Sequence, residues 1–593
     1  MKNEIKSRLE ALRAEMHKNG LTAVIIPQTD PHQSEYLASH WQVRRYFSNF
    51  TGSAGDLIVT LDSALLWTDS RYFIQAARQL EGTGIVLMKD GLKDTPSQIE
   101  WLETHLKKGD TVGIDTRIYN VLAFDELTSQ LAPKGIKVEH FDPAALWADR
   151  PSLPTDKIFV HELKFAGKSA EEKIGRILLD ASAHGAGGVF ISALDEIAWA
   201  LNIRSRDVSY NPVATAFLFL SANRKVLFTD PLKIDDTVKA YLDGIGVETM
   251  PYAEVGEFLK ALPAGAKVLI EPARNAQFYH AQLGARAVNG PSVVALPKAV
   301  KNDTQIAGIR AAMERDGVAL VKAFMEIERR MAVDEKTTET DIDAILLRYR
   351  SEQPLFFDAS FGTIAGYGPN GAIVHYEAEE ETAAVIRTGN LLLIDSGAQY
   401  LDGTTDITRT ISLGTPTDEQ KRDFTLVMKG HIALALMQFP EGTTGAQLDA
   451  IARMFLWKNG LSYLHGTGHG VGHFLNVHEG PQSIRLNYVP TPLMPGMVTS
   501  NEPGLYRENV HGIRCENLVL TVPAVSNEFG NFFKFETLTL FPFDLTLFDT
   551  AIMTQEEIDW LNNYHTMVRT RLTPLLNSAE RTWLELKTEP LTR

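Results

Sequence analysis

Residues 391–410 read "LLLIDSGAQYLDGTTDITRT". An apolar run of strand length ends on Asp395, and Asp406 follows eleven residues on. Between them Asp402-Gly403 is a strong hairpin turn signal. The chain is expected to fold back there and set Asp395 and Asp406 on neighbouring strands. Aspartate is depleted in strands and seldom buried without a partner. Two carboxylates side by side repel each other unless a cation or a proton comes between them.

A second pair has the same character. Glu502 ends "MVTSNE" (497–502), and Glu516 lies in "IRCENLVL" (513–520). The intervening "PGLYRENVHG" is long enough for a loose hairpin. Side chains alternate along a strand, so Arg514 and Glu516 are expected on one face and Cys515 on the other. That makes Cys515 a packed thiol rather than a nucleophile.

The segment "HGTGHGVGHFLNVHEGP" (465–481) carries His465, His469, His473 and His478. The first three fall four residues apart, as on one face of a helix. Gly466, Gly468, Gly470 and Gly472 argue against a helix, since each costs its interior roughly 1 kcal/mol relative to alanine. A loop or irregular strand is expected instead, with glycines allowing close backbone approach.

Any one of these acids alone is an ordinary turn, cap or salt-bridge residue, and a lone histidine is an ordinary hydrogen-bonded side chain. Asp395, Asp406, Glu502 and Glu516 in apolar strand settings, with a glycine-flanked histidine, form a ligand set for two divalent cations. Oxygen ligands with one imidazole suit manganese, iron, cobalt or zinc. A water bridging the two cations would be acidified toward hydroxide.

Around this centre the chain is long, 593 residues, and ordinary in hydrophobic (44%) and charged (22%) content, as soluble multidomain proteins are. Its net charge of −16 disfavours nucleic acid and anionic membrane as partners. A single cysteine allows no intramolecular disulfide and points to a reducing compartment. No apolar run approaches a membrane span, and residues 1–20 lack the apolar core of a secretory signal. A cytoplasmic protein is expected.

Residues 1–300 read as a repeated α/β pattern. A helix carrying Leu9, Leu12 and Met16 leads into "TAVIIP" (22–27) and then a hairpin ending in Trp67-Thr68-Asp69. A second helix and strand (177–192) lead to "TAFLFL" and a strand ending in Phe228-Thr229-Asp230. The first copy continues with Arg71, the second with Pro231-Leu232. The division expected is 1–155, 156–300 and 301–593, with Pro151 and Pro154 marking a linker. The third part opens on long helices (305–331, 338–353) followed by hairpin-forming strands, an α+β pattern. Its tail, about 526–593, includes a Thr-x-x-Glu capping box at Thr554 and an apolar face of Ile558, Leu561, His565, Val568 and Leu572. That face suits core or an oligomer interface, with core favoured.

The segments "GPNGAIVHY" (368–376), "IDSGAQYLDGTTDITRT" (394–410), the histidine tract and "NEPGLY…GIRCEN" closely resemble the aminopeptidase P group of the pita-bread metallopeptidases. "HQSEYLASHWQVRRYFSNFTGSAG" (32–55) and "WTDSRYF" (67–73) resemble the N-terminal domain of its long, three-domain cytosolic form. The resemblance implies two creatinase-N-like α/β domains and a pita-bread catalytic domain with a C-terminal extension through which the long forms dimerise. It implies metal ligation by Asp395, Asp406, His469, Glu502 and Glu516, with Asp406 and Glu516 bridging two ions, manganese first and zinc or cobalt as alternatives. His375, His465 and His478 match the catalytic, substrate-side histidines, Arg71 a substrate-contacting position, and Arg514 a support for the acids; His473 has no assigned role. The implied reaction is removal of the N-terminal residue from peptides with proline second, by attack of a bridging hydroxide. A prolidase restricted to Xaa-Pro dipeptides and a non-catalytic binding protein on the same fold are the alternatives.

Overall fold

The computed structural model describes residues 2–593, which form two compact units, 2–163 with Lys168–Val294, and Lys164–Gly167 with Ala295–Arg593.

The first unit holds two six-stranded sheets of identical topology. Taking the strands of each in chain order, both sheets run fourth, third, second, first, fifth, sixth. The first three strands of each are antiparallel neighbours, and the outer pairings are parallel. Strands Ala64–Thr68 and Lys225–Thr229 occupy the same place in their sheets, so the two Thr-Asp endings are structurally equivalent. The strands at the centre are apolar and buried on both faces, as parallel-type sheets covered by helices require. The leading helix Lys2–Lys18 buries Ile5, Leu9, Leu12 and Met16 against the first sheet.

The long helix of the second unit, Asp303–Ala332, is capped by Asn302 and Gln305 in a reciprocal box and is followed by Glu339–Ser351, capped by Thr338 and Asp341. Strand Asn390–Ser396 pairs antiparallel with Ile364–Tyr367 on one side and Ile407–Leu413 on the other. A six-stranded sheet contains Val498–Asn501 between Gly468–Gly470 and the long strand Asn517–Asn527. One apolar cluster runs through this unit, with Ile309, Val321, Ile394, Val427, Leu518 and Leu561 all buried in it. The tail helix Gln555–Leu572 contributes Ile558, Leu561, Val568 and Leu572 to that cluster. The capping box at Thr554 and Glu557 forms as its sequence predicts.

Two local expectations need correction. The turn after Tyr400 is Leu401-Asp402, because Gly403 is already paired with Tyr400 in the returning strand. Asp402 instead turns to an ion pair with Arg315. Glu516 does not sit within a strand: His511–Arg514 ends before it and Asn517–Asn527 begins after it. The Cys515 amide donates to the Pro503 carbonyl and the Glu516 amide to the Thr408 carbonyl, so the backbone changes partners at this point.

Candidate metal centre

The four acids and His469 lie in or beside five different strands. Asp395 lies opposite Thr408 in the pair Asn390–Ser396 and Ile407–Leu413, and Asp406 immediately precedes the second of these strands. Glu502 follows Val498–Asn501, and Glu516 precedes Asn517–Asn527; these two strands pair with Asn501 opposite Asn517. His469 is the middle residue of Gly468–Gly470. The glycine before it is a spatial necessity, since a Cβ on Gly468 would stand 2.0 Å from the Ser500 carbonyl oxygen. The helical spacing of the histidines is thus incidental to a short, closely packed strand.

Ligand atoms of Asp406, His469 and Glu516 all lie within 4.8 Å of one another. His469 Nε2 is 3.5 Å from Asp406 Oδ2 and 3.4 Å from Glu502 Oε1. The fifth residue, Asp395, takes two hydrogen bonds from Arg514, from Nε at 3.1 Å and from Nη2 at 2.6 Å. Arg514 Nε also donates to Thr408 Oγ1, which donates to Glu516 Oε2 at 2.8 Å. Ser500 Oγ accepts from the His469 amide and donates to Glu502 Oε1 at 3.0 Å. Asp395, Glu502 and Glu516 are therefore each held by a neighbouring side chain. Cys515 points the other way into the apolar cluster, where burial pushes its thiol up to about 12.

The electrostatics of this cluster favour a cation. Burial raises the carboxyl groups of Asp395, Glu502 and Glu516, and the neighbouring acids add to it; Arg514 opposes the shift at Asp395, and His469 and Arg514 oppose it at Glu502, which stands at about 7. Burial pulls the His469 imidazolium down, but Asp406 and Glu502 outweigh it and carry the group up to about 9. Asp395 Oδ1 is buried and has no hydrogen-bond donor among the described residues. An orphaned carboxylate oxygen, three more acids and one imidazole within reach are a donor set that fits divalent cations.

The histidines around the cluster divide. The rings of His469 and His478 stand edge to face with centroids 4.3 Å apart. His465 Nδ1–H donates to the Gly466 carbonyl, which leaves Nε2 to accept from Tyr506 Oη at 2.8 Å. Tyr506 Oη in turn accepts from Arg514 Nη1. His375 is half-buried beyond the turn Gly368–Ala372, in the chain that continues from the strand pairing Ile364 with Asp395. His473 is buried, 2% exposed. Arg71 belongs to the first unit, where Asp69 grips it with two parallel hydrogen bonds of 2.8 and 2.9 Å and Glu35 stands 3.9 Å away.

Tyr506, Thr408 and Ser500 escape a reading of the sequence alone. Tyr506 has one available signal: Gly504 pairs with Arg514, so Tyr506 lies on the arginine's face of that hairpin.

Comparison with known proteins shows what family this geometry belongs to. The metallopeptidase family M24 matches residues 307–523 and the C-terminal region of peptidase M24 matches 531–591. Creatinase/prolidase N-terminal domains match 8–148 and 149–305. Aminopeptidase P2 of Arabidopsis thaliana is 40% identical over 97% of this chain and 86% of its own length. The chain belongs to the M24 metallopeptidases. Xaa-Pro aminopeptidase 1 of Dictyostelium discoideum is 38% identical, covering 99% of this chain and 97% of that protein. The crystal structure of an X-prolyl aminopeptidase from Caenorhabditis elegans, described as a cytosolic enzyme with a di-nuclear active site, superposes with a TM-score of 0.96 at 33% identity over the whole of both chains. The resemblance to the aminopeptidase P group thus holds from end to end: creatinase-type N-terminal domains precede a pita-bread metallopeptidase domain and its C-terminal region.

Proposed function

We propose that this metallopeptidase is an Xaa-Pro aminopeptidase whose Asp395, Asp406, His469, Glu502 and Glu516 hold two divalent cations. The convergence of Asp406, His469 and Glu516 within 4.8 Å, with Glu502 beside them, carries the reading. Manganese is the first candidate for the cations these residues would hold. When bound, the cations supply Lewis acidity toward the scissile carbonyl and an acidified water as nucleophile.

The chain's own residues do the rest. The carboxylates draw the free amine of the peptide to the centre by charge. Arg514 neutralises part of the acid cluster and fixes Asp395. His375, His465 and His478 are assigned to the substrate side; the imidazoles of His375 and His478 are suited to stabilise charge developing on the carbonyl oxygen and to pass a proton to the departing proline nitrogen, and His465, whose ring nitrogens are taken by Gly466 and Tyr506, acts through Tyr506. The Gly466 carbonyl holds His465 in one tautomer, and Tyr506 takes its Nε2. Arg71, held by Asp69 through two hydrogen bonds, is assigned as a substrate-contacting residue.

The names of the full-length relatives support proline in the second position. The family matches support a division into 1–155, 156–300 and 301–593. A cytosolic location and a homodimer formed through 526–593 complete the proposal.

The test is an assay of free N-terminal residue released from Xaa-Pro-Yaa tripeptides, Xaa-Pro dipeptides and matched peptides without proline. Cleavage of the tripeptides with discrimination against the non-proline series is expected. Cleavage of dipeptides alone would make the protein a prolidase, and cleavage of neither by metal-replete protein would leave a binding protein.

A further inference from the structure

Glu339 is the first residue of the helix Glu339–Ser351 and is 0% exposed, yet it faces no basic side chain in its hydrogen bonding. Instead both oxygens are filled by neutral donors from one stretch of chain. Oε1 accepts from the Tyr367 amide at 2.8 Å and from Asn370 Nδ2 at 3.0 Å. Oε2 accepts from Tyr376 Oη at 2.8 Å and from the Ala384 amide at 2.7 Å. Asn370 Nδ2 also reaches Tyr376 Oη at 3.1 Å.

The backbone reinforces the same contact: the Glu339 amide donates to the Ala384 carbonyl, and the Ile386 amide to the Thr337 carbonyl. A single carboxylate therefore gathers the start, middle and end of residues 367–386, and His375 lies between two of its ligands, Asn370 and Tyr376. On its other side this stretch has no slack. A Cβ on Gly512 would stand 1.7 Å from the Gly371 carbonyl oxygen, and Gly512 is in the strand that ends at Arg514. The chain bearing His375 is clamped between Glu339 and the strand that holds Asp395 through Arg514.

We propose that Glu339 is a positioning residue that sets His375 relative to the acid cluster, acting through Asn370 and Tyr376. The proposal rests on the reading of His375 as a substrate-side histidine. A carboxylate is required because it only accepts. In Glu339→Gln, whichever way the amide is turned, its NH2 meets at least two of the present donors.

The experiment is a double-mutant cycle of E339Q and H375A on metal-replete protein, with a proline-containing tripeptide as substrate and metal content measured alongside. E339Q is expected to lower kcat/KM roughly tenfold or more, the scale of a misplaced catalytic group, with metal content unchanged. In the H375A background the same change is expected to have less than about a twofold further effect, since the residue it positions is gone. Amide hydrogen exchange in metal-free protein should show Tyr367 and Ala384 exposed faster in E339Q.

Equal fold-losses in both backgrounds would overturn the proposal, as would an E339Q enzyme of normal activity beside an impaired H375A. Wild-type activity in H375A would instead overturn the substrate-side reading on which it rests. Should E339Q fail to fold, Y376F removes one donor and is held to the same cycle, with a smaller loss expected and the same masking by H375A.

Discussion

His469 Nε2 stands 3.4 Å from Glu502 Oε1, while its Nδ1 is engaged with the Gly470 carbonyl. The engaged Nδ1 leaves Nε2 as the atom facing the acids. Either a second proton or a cation must lie between that nitrogen and the carboxylates. His469→Ala and Asp406→Asn are therefore expected to lower turnover more than about a hundredfold while leaving the far-UV circular dichroism unchanged. Wild-type turnover by either variant in metal-replete form would end the metallopeptidase reading of this cluster.

Metal removal should be visible in stability as well as activity. The acids crowd together at a cost that a bound cation relieves, and a ligand that binds only the native state stabilises by about 2.7 kcal/mol at a hundredfold excess over its Kd. Thermal melts of chelator-treated protein are expected to rise with added manganese in a concentration-dependent way. The rise should be lost in Asp406→Asn. A melting temperature indifferent to cation would contradict it.

Two buried histidines of the second unit give a pH dependence of stability. Burial, with Arg409 nearby, lowers His431 and His565 to about 3. His565 Nε2 accepts from the Phe543 amide, which favours its neutral form, and burial and Arg409 keep His431 neutral although its Nδ1–H donates to the Cys515 carbonyl. Above an unfolded-state pKa of about 6.5 neither state is protonated and no penalty exists. Below it the unfolded chain takes up protons that the native one refuses, so stability falls with pH from about 6.5 toward 3, by about 1.4 kcal/mol per unit for each histidine. Urea midpoints across this window measure the slope, and His565→Gln, which keeps an acceptor, should reduce it.

Glu479 follows His478 directly and is buried between Lys298 and Lys301, both of which donate to it. Its strand, Glu479–Ile484, pairs with the one bearing His469. Breaking a buried ion pair from one side costs about 3–5 kcal/mol. Glu479→Gln is expected to lower the urea midpoint by a corresponding amount. A midpoint within error of wild type would show the triad to be dispensable.

The parts of this molecule legible in sequence are those written as patterns. The α/β repeat shows in its apolar strands and in the matching ends at Thr68-Asp69 and Thr229-Asp230, because period and composition survive without tertiary context. The acids are legible because carboxylates are unusual beside apolar runs, although only Asp395 lies within a strand, and the glycines around His469 exclude a helix. The break at Cys515-Glu516 was hidden because the apolar run continues through it; only the switch of backbone partners to Pro503 and Thr408 ends the strand. Glu339 was hidden for another reason. Its partners lie between 28 and 45 residues away and are mostly uncharged or backbone, and the sequence around it reads as nothing more than a helix cap.

The most direct test of the central claim is a crystal structure of manganese-soaked protein with anomalous scattering measured at the metal edge. Two anomalous peaks are expected, both ligated by residues drawn from Asp395, Asp406, His469, Glu502 and Glu516, with Asp406 and Glu516 touching both. An empty cluster, or ions bound only at other surfaces, would contradict the account.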